Sequence, residues 1–374
     1  MATPKGNAAD GVETQFDTNH GGHPSVLPRV LRQGGPGGPS PDFARARDAP
    51  VSAWEGGDPA ASGIGVHDEV MKVERVGRTW RPLARIALVG VACGAGFVLV
   101  YYVTVRTVQG RLFGDASLRG ALLTRSALAD STTTILNVVS VASLLGAIAL
   151  VATVALVRLD RVHGLAAIGV LVGANLSALL LKNYLLDRPD FGLLEVSPAT
   201  LNSLPSGHVT AVFSAGAALL FVVPTRWRYP AGLGGLVAAT AMALATMSAG
   251  WHRAGDSMAA ILLVGVWITV AATAVLIAEP LGMPDRESFE WPTSARWLVA
   301  ISAGAFTLGL TFGAALDAAG PIRDATLGSW IAFGVGGLLI TGTGIAVLLG
   351  VLDILATTDA PGPPKSEPPA AAKI

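Results

Sequence analysis

Long apolar runs separated by short polar stretches dominate the chain from residue 86 onward. A hydrocarbon core of about 30 Å demands roughly 20 apolar residues of helix. Runs near that length recur eight times, at 86–105, 132–157, 163–186, 207–224, 230–250, 256–278, 297–316 and 327–352. None alternates with the period of two that a half-buried strand requires, so each is expected to be helical. The fourth run is the shortest: its strictly apolar part reaches only from Val209 to Val223, between Pro205 and Pro224. The pattern therefore predicts an all-α, polytopic membrane bundle of about eight spans.

Composition agrees. Of 374 residues, 51% are hydrophobic and 14% charged, and the mean hydropathy is +0.55, far from a soluble domain. The lipid bilayer is thus an expected partner. With 26 basic and 26 acidic residues the formal charge is zero, so no net field favours nucleic acid, and none is expected to bind. A single cysteine, Cys93, excludes an intramolecular disulfide and a thiolate metal cluster. Residues 1–70, rich in Gly, Pro, Asp and Ser, have too little apolar surface to order themselves and are expected to be a disordered cytoplasmic tail. Residues 71–83 form a basic juxtamembrane segment. A Pro/Ala-rich tail is expected again over 355–374. No apolar stretch of useful length opens the chain, so the first span is expected to serve as its own targeting signal.

Basic residues set the orientation. Lys72, Arg75, Arg78, Arg81 and Arg85 precede or open the first run, Arg158 and Arg161 lie between the second and third, and Arg226 and Arg228 between the fourth and fifth. All fall on one side, which the positive-inside rule makes cytoplasmic. Both termini, and a loop at 279–296, are then cytoplasmic in the cell membrane. The connection 106–131 disagrees: placed outside, it carries Arg106, Arg111, Arg119 and Arg125 against Asp115 and Asp130. It is expected to be an amphipathic helix lying on the outer surface.

Three polar blocks end or begin spans on the extracytoplasmic side. Lys182 with Arg188-Pro189 supplies two cations suited to phosphoryl oxygens, Arg by its planar fork and Lys as a point charge. The plainer alternative is that both snorkel as interfacial anchors. In Pro205-Ser206-Gly207-His208, Ser206 can act as a helix N-cap, the plainer alternative being a capping Ser followed by a solvated His. The unpaired N–H groups behind it make an anion cradle with His208 projecting from the first turn. In Trp251-His252-Arg253-Ala254-Gly255-Asp256, a carboxylate four residues from an imidazole can fix its tautomer and leave the other nitrogen free to attack. Here the alternative is that Asp256 only caps a helix. Ionisable groups at a membrane boundary are costly unless they bind or react with something.

In order and spacing, the three blocks resemble the type 2 phosphatidic acid phosphatases, or lipid phosphate phosphatases, whose fold is shared with the vanadium haloperoxidases. The resemblance covers residues 84–278, a six-helix phosphatase core, and leaves two additional C-terminal transmembrane helices at 297–354. It implies that His252 is the nucleophile forming a phosphohistidine, that Asp256 orients it, and that His208 protonates the leaving oxygen. It implies further that Lys182, Arg188, Ser206 and Gly207 bind the phosphoryl oxygens without a metal or other cofactor. The substrate would be a membrane lipid phosphate or diphosphate, of phosphatidate, phosphatidylglycerol-phosphate or polyprenyl-phosphate type.

Two departures from the family pattern stand out. Five residues separate Lys182 from Arg188, where the family usually has one more. Because a residue before proline resists the helical conformation, the third helix is expected to end before Arg188 and let the loop re-aim it. Ala245 and Thr246 stand where the family has Ser-Arg, and Arg253 is expected to replace the missing cation. The alternative functions are a membrane transporter and a non-catalytic lipid-phosphate-binding member of the fold. His163 is expected to be an anchor on the opposite face, and Trp80, Trp227, Trp251 and Trp330 to form an aromatic belt. The last two helices are candidates for assembly with a second copy or a membrane partner.

Overall fold

The computed structural model describes residues 59–125, 141–157, 160–196, 202–278, 292–320 and 325–358. Every regular element among them is helical, as the apolar pattern requires: α1 Pro59–Val105, α2 Val108–Leu123, α3 Val141–Val157, α4 Arg161–Leu180, α5 Gly207–Val222, α6 Thr225–Ser248, α7 Ala254–Ala278, α8 Ala295–Ala318 and α9 Thr326–Thr358. A single π-helical turn, Leu181–Leu185, extends α4. The packing below belongs to the compact unit Val66–Ile374.

Among the described residues, six segments are long and apolar enough to cross a membrane: Pro82–Val105, Arg161–Leu185, Thr225–Ser248, Ala254–Ala278, Ala295–Ala318 and Thr326–Ala356. The chain is a polytopic all-α membrane protein. The second and fourth runs form shorter apolar helices, α3 of 17 residues and α5 of 16. Residues 132–140 of the second run lie outside the described residues. Sixteen residues rise only about 24 Å, so α5 falls short of a full span. Prolines at both ends and the polar block at its start set that length.

The expected tail at 1–70 lies largely outside the described residues, but its last twelve residues do not: α1 begins at Pro59. Proline at the first helical position loses no hydrogen bond and presets the backbone angle, and no further proline follows before Pro82.

Two helices form the centre. α7 packs against α4, α5 and α9, and α9 against α2, α6, α7 and α8. Their inward faces supply Ile261, Val264, Ile268, Ile340, Val351 and Leu352, all at most 1% exposed. The last helix is thus part of the core. α1 is peripheral: Ile86 and Cys93 turn inward, while Leu88, Val91, Val98 and Leu99 stay outward as on a lipid-facing surface.

The segment 106–131 departs from expectation. Its helix, α2, is not a solvated amphipathic helix but is packed into the protein: Arg111, Asp115, Ala116, Ser117, Leu118, Gly120 and Ala121 are buried. The reason is its close approach to α9. A Cβ at Gly120 would stand 2.0 Å from the Ser329 carbonyl oxygen, and one at Gly336 would stand 2.7 Å from Ser117 Oγ. Small residues on both helices let the backbones meet. Thr107 caps the start of α2, its Oγ1 accepting from Gly110 N–H at 3.1 Å.

Candidate active site

The end of α4, the start of α5, the end of α6 and the start of α7 meet at one end of the bundle, where α1 ends and α2 begins. His208 and His252 come together there, their ring centroids 6.4 Å apart. Trp251, expected only in an aromatic belt, stands 5.5 Å from His208, centroid to centroid.

His252 is held by its own helix start. Its Nδ1 lies 3.3 Å from Asp256 Oδ2. The same oxygen accepts from Ser203 Oγ at 2.7 Å and from the Arg253 backbone N–H at 2.9 Å. Asp256 sits three residues after the N-cap position Arg253, so the last bond is one half of a capping box. Capping and orientation are therefore one arrangement rather than rival roles. Asp256 is 2% exposed, and a carboxylate that deep is stable only with its acceptor sites filled.

The chain enters this position through a tight turn. α6 ends in a Schellman motif: Gly250 N–H donates to Met247 O at 2.9 Å and Trp251 N–H to Thr246 O at 2.9 Å, with His252 N–H 3.4 Å from that same oxygen. Gly250 takes φ 82°, where a Cβ is strained. Thr246, standing at the family arginine position, is fully buried. Its hydroxyl donates back to Ala243 O at 2.9 Å.

Ser206 caps α5, its Oγ 3.5 Å from Val209 N, and its own N–H donates to Asp256 O at 3.0 Å. This last bond ties the second block to the third. Ser206 is buried, Gly207 exposed and His208 half-buried, so the accessible part of the cradle is the backbone at 207 and 208. Lys182 lies in the π-turn and within electrostatic range of His208. Such turns recur at functional sites. α4 and its π-turn end before Arg188, with Leu186 in extended backbone, and Arg188 projects from the non-helical segment 186–196.

Arg188 does not stand alone. Its Nη2 is 2.8 Å from Glu195 Oε2, and Arg253 Nη2 lies 3.4 Å from the same oxygen. Arg111, reaching over from α2, pairs through Nε with Glu195 Oε1 and donates from Nη1 to Pro189 O at 2.6 Å. Arg253 Nη2 also lies 3.6 Å from Asp115 Oδ1, and Arg119 Nη1 donates to Asp115 Oδ2 at 2.6 Å. Burial, the Arg253 charge and the Arg111 charge push the Arg188 guanidinium down from its ordinary value, against the pull of Glu195. Burial pushes the Glu195 carboxyl up, but hydrogen bonds from Arg111 and Arg188 outweigh it and hold Glu195 below the usual carboxylate range.

All eight residues singled out in the sequence lie at this end of the bundle. Arg111, Asp115, Glu195 and Ser203 were not singled out, though the excess of arginine in 106–131, against the positive-inside rule, was a signal for the first. His163 is apart: it sits at the far end of α4, roughly 28 Å from Lys182 by helix rise, with its ring 3.0 Å from the capping Asp160. Among the described residues, no group of three or more His, Cys, Asp or Glu side chains could hold a metal ion.

Two imidazoles, a buried carboxylate and an arginine cluster thus share one end of a helical membrane bundle. The family model of the PAP2 superfamily matches residues 163–278, and over this segment the chain is similar to that superfamily. No curated protein and no solved structure matches the chain. The matched segment holds Lys182, Arg188, Glu195, His208, His252 and Asp256, while α2 lies outside it.

Proposed function

We propose that the chain is a metal-independent phosphatase that hydrolyses a phosphomonoester or diphosphate of a membrane lipid through a phosphohistidine intermediate at the extracytoplasmic face. The observation that carries this reading is the convergence of His208 and His252 from separate helices, 6.4 Å apart, with His252 Nδ1 turned to the buried Asp256.

With Asp256 accepting at Nδ1, His252 Nε2 keeps its lone pair and attacks phosphorus. As the bond from phosphorus to the lipid oxygen breaks, His208 gives that oxygen its proton and the lipid leaves as an alcohol or monophosphate. Water then attacks the phosphohistidine, now-neutral His208 takes its proton, and inorganic phosphate departs. Lys182, Arg188 and the backbone N–H groups at 207 and 208 offset the charge on the phosphoryl oxygens, the task a metal performs in many phosphoryl-transfer enzymes. The positive-inside pattern supports the extracytoplasmic placement, and the apolar outer faces let the lipid tail stay in the bilayer.

The test is phosphate release by the purified protein from phosphatidic acid, phosphatidylglycerol phosphate and a polyprenyl diphosphate, with EDTA present, together with trapping of acid-labile phosphate on His252. Hydrolysis of any of these with EDTA, and loss of the trapped label in His252→Ala, is the expected result. Absence of release from the whole panel would overturn it. Buried Thr246 in place of the family arginine favours one second reading, a member that binds lipid phosphates without cleaving them. Binding without a trapped intermediate would be its mark.

A further inference from the structure

Three guanidinium groups converge on one carboxylate beside the histidine pair. The side chains of Arg111, Arg188, Arg253 and Glu195 are 5%, 3%, 4% and 5% exposed. Asp115 and Arg119 extend the cluster. Burying like charges side by side is expensive unless an anion offsets them.

Unused donors point the same way. Arg188 Nε is buried with no hydrogen-bond partner, a position that costs the desolvation of a charged group unless an acceptor arrives. Arg111 spends Nε on Glu195 and Nη1 on Pro189, and its guanidinium carbon lies 5.2 Å from the Phe191 ring centroid. Its Nη2, with two more donors, has no partner among the described residues. Arg253 joins this cluster to the histidines covalently, as the neighbour of His252. Its side chain crosses α2 at Gly114, where a Cβ would stand 3.1 Å from Arg253 Cδ.

We propose that Arg111, from a helix outside the matched segment, forms the anion-binding wall with Arg188 and Arg253, that Glu195 is the positioning residue holding all three, and that this wall replaces the family arginine for which the chain has Thr246. The proposal names further binding residues for the site read above as a phosphatase, and it rests on that reading for the identity of the bound group. Glu195 suits its part because its two oxygens serve different arginines, Oε1 serving Arg111 and Oε2 serving Arg188 and Arg253. It spaces like charges that would otherwise repel. Asp115 anchors the same segment, accepting from Val196 N–H at 2.7 Å.

The test is calorimetric titration of the purified full-length protein in detergent with inorganic phosphate, run beside the hydrolysis assay. Losing a charge-assisted donor costs about tenfold or more in affinity. Arg111→Ala is expected to weaken phosphate by that factor, millimolar guanidinium to restore it, and Arg111→Lys to fall between. A mere structural tie would not be rescued by free guanidinium. Glu195→Gln is expected to weaken phosphate even though it makes the wall more positive; tighter binding would mean that Glu195 competes with the ligand, and would overturn its assignment. Unchanged affinity in Arg111→Ala, or no phosphate binding by the wild type, overturns the proposal whether or not lipids are hydrolysed. If the wild type cleaves no lipid phosphate yet its phosphate binding still depends on Arg111, the phosphatase reading falls and this one stands.

Discussion

The histidine pair and the arginine wall adjoin, yet they are assembled differently. On the histidine side each decisive contact is local or joins two helix starts: His252 to Asp256 four residues on, Ser206 N–H to Asp256 O. On the arginine side the contacts of Arg111 span the chain, meeting Glu195 and Pro189 across more than seventy residues. Short-range construction fixes direction, as a nucleophile in line with a phosphorus atom requires. Long-range construction collects charge, for which the source helix is immaterial. A cation absent at position 246 can therefore be supplied from α2, whereas an imidazole could not be relocated so freely.

The comparison breaks most directly at His252. Its replacement by Ala is expected to lower phosphate release by roughly 10³-fold or more, while the affinity for inorganic phosphate, measured by calorimetry, shifts little. A parallel collapse of phosphate affinity would show that the two halves are not separable.

Asp256→Asn is the next largest effect. It keeps the shape but reverses part of the hydrogen bonding at Nδ1, and it leaves the Ser203 and Arg253 donors with a weaker acceptor. A turnover loss of about 10²-fold is expected, with a lowered unfolding temperature, because Asp256 also caps α7. Asp256→Glu restoring full turnover would mean that its geometry is unimportant.

A smaller effect separates the two sides by pH. Glu195 has a folded-state pKa held below its unfolded value, so its stabilising contribution is complete above the ordinary carboxylate pKa of about 4.3. It is lost as pH falls through the lowered folded value. The difference in thermal stability between wild type and Glu195→Gln should be constant from neutrality to about pH 5, then shrink on acidification. A difference that instead grows as pH falls would reverse the assigned direction.

How much of this could be read from the chain follows from the same contrast. Spans were legible because bilayer thickness imposes a length on every apolar run, and His208, His252 and Asp256 because each belongs to a block a few residues long. The end of α4 before Arg188 was legible from Pro189. Arg111 and Glu195 were not, since nothing local marks an ion pair between residues 84 positions apart; the misplaced positive charge of 106–131 was the one trace. The burial of α2 was hidden as well, because it depends on Gly120 of α2 meeting Gly336's helix, α9, which begins about two hundred residues later.

The finest test uses two glycines, one on each side. Gly250 has φ 82° and Gly192 φ 65°, so an alanine at either pays about 1–2 kcal/mol of local strain. Gly192 has no neighbour within 4 Å of a built Cβ, whereas Gly250 is buried. Their consequences should differ. Gly250 closes the turn through which Thr246 O holds Trp251 and His252, so Gly250→Ala is expected to lower kcat by up to roughly tenfold with KM little changed. Gly192 lies between Arg188 and Glu195, its N–H donating to Asp190 Oδ1 at 2.8 Å. Gly192→Ala should therefore raise KM and weaken inorganic phosphate by a few-fold with kcat nearly intact. If both variants moved kcat and KM together, orientation and charge collection would be one coupled device, and the division between the two halves of the site would have to be given up.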